Sequence, residues 1–231
     1  MEKKKRIWEI DFLRGIAFLC MVYDHVMYDL NAIFGVRIHT IDLIGDFSAV
    51  LFMILCGIST TLSRNCLKRG ALVFGAAMLL TAVTATVDTL FNMRLIIVFG
   101  ILHLLGIAMI LSFFVKKLPN ILIIILSVGI YLLKFPFDNI RDIGNTFFAF
   151  GIHDPTFYSS DYYPLIPFLS FVFIGIVIGK VLYSNKESLF PFEIGANPLS
   201  FIGKHSLLLY LIHQPIVLVI VFLVLKLMNL I

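Results

Sequence analysis

The chain has 231 residues, of which 60% are hydrophobic and only 14% are charged. This composition excludes an ordinary soluble domain and is typical of a protein that lies in the lipid bilayer. The formal net charge of +4 comes without a basic stripe interleaved with aromatic residues, so nucleic acid is excluded as a partner.

Apolar segments predict the fold. A helix needs roughly 17 to 25 apolar residues to span a bilayer. Segments of that kind lie, in chain order, at residues 10–34, 41–63, 69–91, 94–115, 119–135, 162–184 and 206–229. The longest connection, residues 136–162, is too short for a second soluble domain. We therefore predict an all-α fold, a polytopic transmembrane helix bundle of about seven helices, with residues 1–231 forming a single membrane domain.

Basic residues orient these predicted helices, because they concentrate in the cytoplasmic loops of membrane proteins. The amino end and alternate connections hold one set: Lys3, Lys4, Lys5, Arg6, Arg64, Lys68, Arg69, Lys116, Lys117, Lys180, Lys186 and Lys204. The opposite side holds a smaller set: Arg37, Arg94, Lys134, Arg141 and Lys226. This imbalance predicts a cytoplasmic amino terminus and a carboxyl terminus on the outside.

The first predicted helix carries two polar groups that are costly in lipid, Arg14 and His25. Eleven residues of helix advance about 16.5 Å and bring the two within about 20° of one face. The guanidinium fork of Arg14 matches phosphate geometry, which indicates anion capture near the cytoplasmic surface. The alternative is that Arg14 only reaches the headgroups or pairs with Asp11, three residues earlier.

Three predicted spans carry a histidine at mid-depth: His25, His103 and His213. An intramembrane histidine often only bonds a neighbouring helix, which is the alternative for His103 and His213. Asp29 stands one turn after His25, where it can bond the ring and support a general base. A metal site built from the three histidines is a further alternative. Its ligands would come from separate helices without paired spacing, so no metal is predicted.

Two connections offer further binding residues. The last helix begins near Lys204 and Ser206, where Lys204 and backbone amides would add to a phosphate site, unless Lys204 is simply a positive-inside anchor. The outer segment NTFFAFGIHDPTFYSSDYYP contains Asp161 and Tyr163, and its aromatics and carboxylates suit a sugar. An interfacial aromatic belt is the equal alternative. Asp46, at the start of the second helix, faces the same predicted side.

Four ordered motifs carry a resemblance: EIDFLRGIAFLCMVYDHVMYDL, FGILHLLGIA, DYYPLIPFLSFVFIGIVIGK and GKHSLLLYLIHQP. Together they resemble the heparan-alpha-glucosaminide N-acetyltransferase-like family over nearly the whole chain, which looks like one of its short bacterial members. Arg14, followed by ten residues and then His25, is also similar to the arginine–histidine signature of the wider membrane acyltransferases.

The resemblance implies transfer of an acetyl (acyl) group from cytoplasmic acyl-CoA, with acetyl-CoA as co-substrate, to a hydroxyl or amino group of an extracytoplasmic glycan or amino sugar. It also implies a multi-pass protein of the bacterial inner membrane. An extended pantetheine arm of about 15–20 Å is comparable to the helical rise between Arg14 and His25. Arg14 would hold the pyrophosphate while the thioester reaches His25. Further candidates on the cofactor side are Asp11, Lys204, Ser206, Tyr210 and His213.

Two routes follow for His25. As a general base supported by Asp29, it would deprotonate the acceptor, with His103 or Tyr210 stabilising the oxyanion. Alternatively, His25 would carry the acyl group itself. In the lysosomal relative the active-site histidine lies after the first helix, where this chain offers His39, so His39 is the second candidate for the catalytic role.

Two other classes of function compete with an acyltransferase. A transporter that relays protons through the buried His and Asp residues is one, although transporters often show two matching halves and no repeat is found here. A membrane scaffold is the other, and it would not need Arg14 and His25 on one face. The pattern GIVIG at Gly175 and Gly179 indicates close helix packing, either within the chain or in a homodimer.

Overall fold

Helices make up 72% of the residues that the computed structural model describes, which are 6–36, 39–91, 94–140, 144–192, 194–195 and 197–228. Within these ranges there is no β-strand. The α-helices are α1 (Trp8–Tyr28), α2 (Asp42–Leu62), α3 (Cys66–Phe91), α4 (Ile101–Val115), α5 (Asn120–Leu132), α6 (Lys134–Phe137), α7 (Leu165–Leu182), α8 (Pro198–Lys204) and α9 (Ser206–Leu227). A π-helical turn, Asp29–Ile33, continues α1, and a 3₁₀ turn covers Phe148–Phe150.

Five stretches of helix are long and apolar enough to cross a membrane: Asp42–Leu62, Cys66–Phe91, Asn120–Phe137, Leu165–Leu182 and Ser206–Leu227. The apolar helix α4 is shorter, and α1 carries several charged residues along its length. Each of the seven predicted segments contains a helix, so the all-α transmembrane fold is confirmed. The orientation stays a prediction, and Lys3, Lys4, Lys5, Arg37 and Arg141, on which it partly rests, lie outside the described residues.

The fourth helix begins later than the sequence predicts, at Ile101 rather than near residue 94. Residues 94–100 are instead non-helical and bond to the segment around residues 158–163, as in the hydrogen bond from the Tyr163 amide to the Phe99 carbonyl. His103 therefore lies in the first turn of α4. The prediction that His103 lies near the centre of this helix is wrong, because backbone bonding to another segment replaces the first turns.

The contacts of the chain form two compact units, Met1–Phe52 with Glu187–Ile231, and Met53–Lys186. The boundary falls inside α2. We call them the terminal unit and the central unit, and the prediction of a single domain stays a prediction.

Glycines let α1 and α8 approach closely in the terminal unit. A methyl group added at Gly203 would overlap the Asp11 carbonyl, and one at Gly15 would overlap the Leu199 carbonyl. Farther along α1, its apolar side chains pack against a core on α9 formed by Val217, Val221 and Leu225. The first helix is thus held along its length by the last segment of the chain.

In the central unit, two helix pairs also pack on each other. Helix α3 packs on α4, where Gly70 and Gly106 leave no room for a side chain. Helix α5 packs on α7, and the Ser127 hydroxyl donates to the Ser170 carbonyl over 2.7 Å. Satisfying a buried hydroxyl in this way avoids the cost of leaving it unpaired in an apolar interior.

Candidate active site

Arg14 and His25 lie on one uninterrupted helix, since α1 runs from Trp8 to Tyr28. The separation that the sequence indicates, about 16.5 Å along the axis, therefore applies to the folded protein.

At the start of α1, one carboxylate is shared by two guanidinium groups. Arg6 binds both oxygens of Asp11, with Nε 2.8 Å from Oδ2 and Nη2 2.9 Å from Oδ1, and Arg14 Nη1 lies 3.0 Å from Oδ1. Asp11 is buried, and these bonds raise the pKa of Arg6 above its usual value, mainly through the hydrogen bond to Asp11. The three side chains carry a net charge of +1, so the cluster remains attractive to an anion.

The segment before α9 is anchored to the same end of α1. Glu9 is buried and accepts hydrogen bonds from the Ser188 hydroxyl (3.0 Å) and the Leu189 amide (2.9 Å). Because Gly203 touches the backbone of Asp11, the next residue, Lys204, is brought to the level of the arginine cluster, where it is exposed. Ser206 begins α9 directly afterwards. The contact of Gly203 with the backbone of Asp11 and Gly15 thus places Lys204 beside the start of α1.

Toward the other end of α1, two imidazole rings are in contact. The ring centroids of His25 and His213 are 4.9 Å apart with an interplanar angle of 51°. Phe18 and Tyr210 flank the His213 ring, with centroids at 6.0 and 5.3 Å. His213 lies two turns into α9, as the sequence predicts. The contact between His25 and His213 could not be read from the sequence.

The hydrogen bonding of His213 assigns its tautomer. Its Nδ1 lies 2.5 Å from the Tyr210 carbonyl oxygen. A carbonyl can only accept, so Nδ1 carries the proton and the neutral ring has a lone pair on Nε2. That Nε2 is buried and has no hydrogen-bond partner among the described residues.

Asp29 does not support His25 in the way the sequence suggests. The Asp29 carboxylate is fully buried and accepts from the Gln214 amide, with Nε2 2.9 Å from Oδ1 and 3.1 Å from Oδ2. The expected hydrogen bond from the His25 ring to the Asp29 carboxylate is absent from the described contacts. The carboxylate faces α9, where Gln214 is its donor.

Gln214 is the residue that sequence reasoning missed. Its signal was present, because an amide side chain directly after His213 is rare in so apolar a helix. Its Oε1 is also buried without a partner within the described chain. His213 and Gln214 thus each present an unbonded acceptor on consecutive positions of α9.

Two further candidates of the terminal unit lie outside this group. His39 is exposed and lies between the π-helical turn and α2, next to residues outside the described ranges. Asp46 is exposed on the first turns of α2, where its neighbour Gly45 faces the Asp24 carboxylate.

In the central unit, both nitrogens of His103 are committed to structure. The Gly100 amide donates to Nδ1 over 3.1 Å, so the proton lies on Nε2, which is 3.2 Å from the Thr81 hydroxyl. Thr81 in turn donates to the Ile97 carbonyl over 2.8 Å. His103 caps α4 and ties it to α3, so it has no free lone pair for a base.

Asp161 and Tyr163 hold the outer segment to the start of α4. Oδ2 of Asp161 accepts from the Ile101 amide over 3.0 Å, and the Tyr163 amide donates to the Phe99 carbonyl. Between them, the Tyr162 hydroxyl donates to the Phe148 carbonyl over 2.6 Å, and burial raises the pKa of Tyr162 to about 12. These contacts organise the aromatic segment for which a sugar site and an interfacial aromatic belt were equal alternatives, and both stay open.

Metal ligation was the alternative for the histidines. Across the ranges that the structure describes, no three His, Cys, Asp or Glu side chains are placed to hold a metal ion.

Comparison with protein families identifies a match over most of the chain. The family model described as "Heparan-alpha-glucosaminide N-acetyltransferase, catalytic" matches residues 6–215. This range begins at Arg6, includes Arg14 and His25, and ends just after Gln214. No curated protein and no solved structure matches the chain.

Proposed function

Because the chain belongs to the heparan-alpha-glucosaminide N-acetyltransferase catalytic family, we propose that it carries an acetyl group across a membrane. The donor is cytoplasmic acetyl-CoA, the donor that acetyltransferases of this family use. The acceptor is a hydroxyl or amino group of an extracytoplasmic glycan or amino sugar, and the membrane is the bacterial inner membrane. That the protein is a multi-pass membrane protein of an acetyltransferase family stands independently of these details.

The single observation that carries the proposal is the arrangement along α1. One end of this helix bears a guanidinium cluster of net charge +1, and the other end bears an imidazole pair. A donor with an anionic head and a distant reactive thioester has the same two parts, separated by about the same length. The length of α1 therefore sets the distance between the proposed anion site and the proposed site of acyl transfer.

Arg14 is the proposed anchor for the phosphates. A guanidinium binds phosphate oxygens through parallel N–H donors, and burial at the membrane surface strengthens the attraction. Asp11 holds the Arg14 side chain through Nη1, and the exposed Lys204 adds a second positive charge nearby. Since Arg6 alone satisfies both Asp11 oxygens, removing Arg14 does not leave that buried carboxylate unpaired.

His25 is the proposed group at the reacting end. It acts either as a general base on the acceptor or as a transient acyl carrier. Tyr210 is the proposed donor to the oxyanion, because the Nε2 proton of His103 is directed at Thr81. Asp46 is a proposed contact to the acceptor, and the roles of Asp161 and Tyr163 stay predictions.

Donor binding is tested by thermal shift of the purified protein in detergent with acetyl-CoA and with free CoA. We expect both ligands to raise the melting temperature of the wild type and of His25→Ala, and Arg14→Ala to lose the shift. Arg64→Ala is the control, because it removes an exposed guanidinium that lies outside this cluster, and it should keep the shift. A wild type that is folded and shows no shift with either ligand would contradict the proposal.

Transfer itself is tested in proteoliposomes with radiolabelled acetyl-CoA on the outside and glucosamine as the probe acceptor inside. Labelled N-acetylglucosamine should accumulate in the lumen only when the protein is present. Empty liposomes and Arg14→Ala are the controls.

A further inference from the structure

His213 has one ring nitrogen that is bonded and one that is not. The Tyr210 carbonyl takes the Nδ1 proton, which leaves the Nε2 lone pair as an acceptor. His213 is only 8% exposed, and Nε2 itself is buried with no partner among the described residues. A buried acceptor without a donor is uncommon in a folded protein, because its desolvation is not compensated.

The other histidines with assigned tautomers differ from His213 in this respect. Both nitrogens of His103 take part in hydrogen bonds. His205 and His153 also donate Nδ1–H to a backbone carbonyl, but neither is buried. Among these four, only His213 combines a fixed tautomer with a buried, bare Nε2.

The surroundings of His213 also suit a reacting centre. The His25 ring is in contact with it at 4.9 Å, and Gln214 on the same turn of α9 presents a second buried acceptor, Oε1. Both unsatisfied groups are acceptors, so the molecule that completes this site must bring donors. Hydroxyl and amino groups of a sugar are donors of that kind.

We propose that His213 is the general base of the acetyl transfer and accepts, at Nε2, the proton of the sugar hydroxyl or amino group that attacks. This inference rests on the proposed function and deepens it. His213, rather than His25, then deprotonates the acceptor. His25 lies beside it and faces the acyl group.

The step balances without any further reactant. The acceptor's lone pair forms a bond to the thioester carbonyl carbon, while its proton passes to His213 Nε2. The carbon–sulfur bond then breaks, and the imidazolium returns the proton to the departing thiolate, so that the products are the acetylated acceptor and the free thiol. The Tyr210 carbonyl, bonded to Nδ1–H, stabilises the imidazolium between the two transfers.

The tautomer is tested first, by nitrogen NMR of protein labelled with ¹⁵N-histidine in detergent. His213→Gln identifies the resonances of His213 by their loss. We expect a protonated Nδ1 and a bare Nε2 in the wild type. A protonated Nε2 in the neutral ring would overturn the proposal, whatever the activity of the protein.

Kinetics with radiolabelled acetyl-CoA and glucosamine test the role. Glutamine at position 213 keeps the approximate volume and an N–H that can reach the Tyr210 carbonyl, but it cannot accept a proton. We expect His213→Gln to lower kcat by about 10² to 10⁴-fold, the usual worth of a general base, with an unchanged KM for acetyl-CoA. His205→Gln is the matched control, since it removes an imidazole with the same Nδ1 contact from the same part of the chain, and it should keep full activity.

Imidazole rescue distinguishes a base from a packing residue. Added imidazole should restore part of the activity of His213→Ala and none of the activity of Arg14→Ala. A wild-type kcat in His213→Gln, or no rescue of a folded His213→Ala, would show that His213 is structural. If the wild type acetylates no glucosamine, the proposed acceptor is wrong, and the tautomer measurement still decides whether Nε2 of His213 is bare.

Discussion

The amide nitrogen of Gln214 lies 2.9 and 3.1 Å from the two carboxylate oxygens of Asp29, across the contact between α9 and the end of α1. Asp29 is fully buried, so this amide replaces the water that the carboxylate loses on folding. The pair also orients Gln214, because only its nitrogen can face a carboxylate. Its Oε1 is thereby turned away from Asp29, as an acceptor with no partner among the described residues.

We therefore expect Gln214→Leu to destabilise the protein by about 1–3 kcal/mol, since it leaves the Asp29 carboxylate without its donor. Gln214→Glu should be worse, because it sets a second carboxylate against the first. Denaturant unfolding in detergent measures the change. Lys226→Gln, an exposed position on the same helix, is the control and should change little. Equal stability of Gln214→Leu and wild type would show that Asp29 needs no donor.

The two arginines on Asp11 should be coupled. Either Arg6→Ala or Arg14→Ala leaves one guanidinium on the buried carboxylate, whereas the double variant leaves none. We expect the double variant to lose about 1 kcal/mol more stability than the sum of the single ones. The figure is modest because Arg6 is 56% exposed and its ion pair is screened by water. Strict additivity in the double-mutant cycle would indicate that Asp11 does not depend on the pair.

Substituting alanine for glycine should lower stability at a close helix contact and raise it at an open surface position. Gly203→Ala places a methyl group against the Asp11 carbonyl, so α8 must move away from α1. We expect a loss of roughly 1–3 kcal/mol, the range for overpacking, together with a weaker thermal shift by acetyl-CoA. Gly75→Ala in α3 meets nothing within 4 Å and should stabilise the helix by about 0.5–1 kcal/mol. A neutral Gly203→Ala would contradict the close packing of α8 on α1.

His103 should prove to be a structural residue. His103→Ala removes the acceptor for the Gly100 amide and the partner of Thr81, and we expect it to cost about 1–2 kcal/mol of stability, as for the loss of a helix cap. In a double-mutant cycle with Thr81→Val, the two substitutions together should cost less than the sum of the single ones, because each of them removes the hydrogen bond between His103 and Thr81. Imidazole should not restore any activity lost by a folded His103→Ala, in contrast to His213→Ala. Rescue of His103→Ala would return His103 to the list of catalytic groups.

Tyr162 should make stability depend on alkaline pH. Burial raises its pKa from 10 to about 12, so between these values the folded protein keeps a proton that the unfolded chain has lost. Its contribution to stability is thus complete below about pH 10 and is lost as the pH rises toward 12. The free energy of unfolding, measured across this pH range, should therefore fall less steeply with pH in Tyr162→Phe than in wild type. Tyr158→Phe, which removes an exposed phenol of the same segment, is the control.

Local sequence was sufficient for the membrane helices. Runs of apolar residues predicted a helix in each of the seven segments, because in lipid every backbone polar group must be satisfied within its own segment. The start of α4 is an exception. Residues 94–100 are apolar enough to continue α4, yet the Asp161 carboxylate and His103 cap the helix at Ile101. The start of α4 is thus capped by a carboxylate that is 60 residues away in the chain. No local sequence pattern reveals that contact.

The candidate site was predicted in part. The helical spacing of Arg14 and His25 and the depth of His213 in its helix follow from counting residues. The assignment of Asp29 to His25 was reasonable from the four-residue spacing, but Gln214 takes both carboxylate oxygens. The tautomer of His213 depends on which acceptor its ring contacts, and only the three-dimensional structure shows that this acceptor is the Tyr210 carbonyl.

The sequence by itself determined that this chain is an all-helical membrane protein, that its first helix joins a guanidinium to an imidazole, and which family it resembles. The first two properties are local, since they depend on hydropathy and on the rise of a helix, and the resemblance rests on four ordered sequence motifs. Tertiary structure decided that His25 meets His213, that Asp29 meets Gln214, and that His213 keeps a bare buried nitrogen. The first two of these relationships join residues more than 180 positions apart. All three exist because the packing of α9 on α1 buries polar groups, which must then find partners in each other or in a substrate.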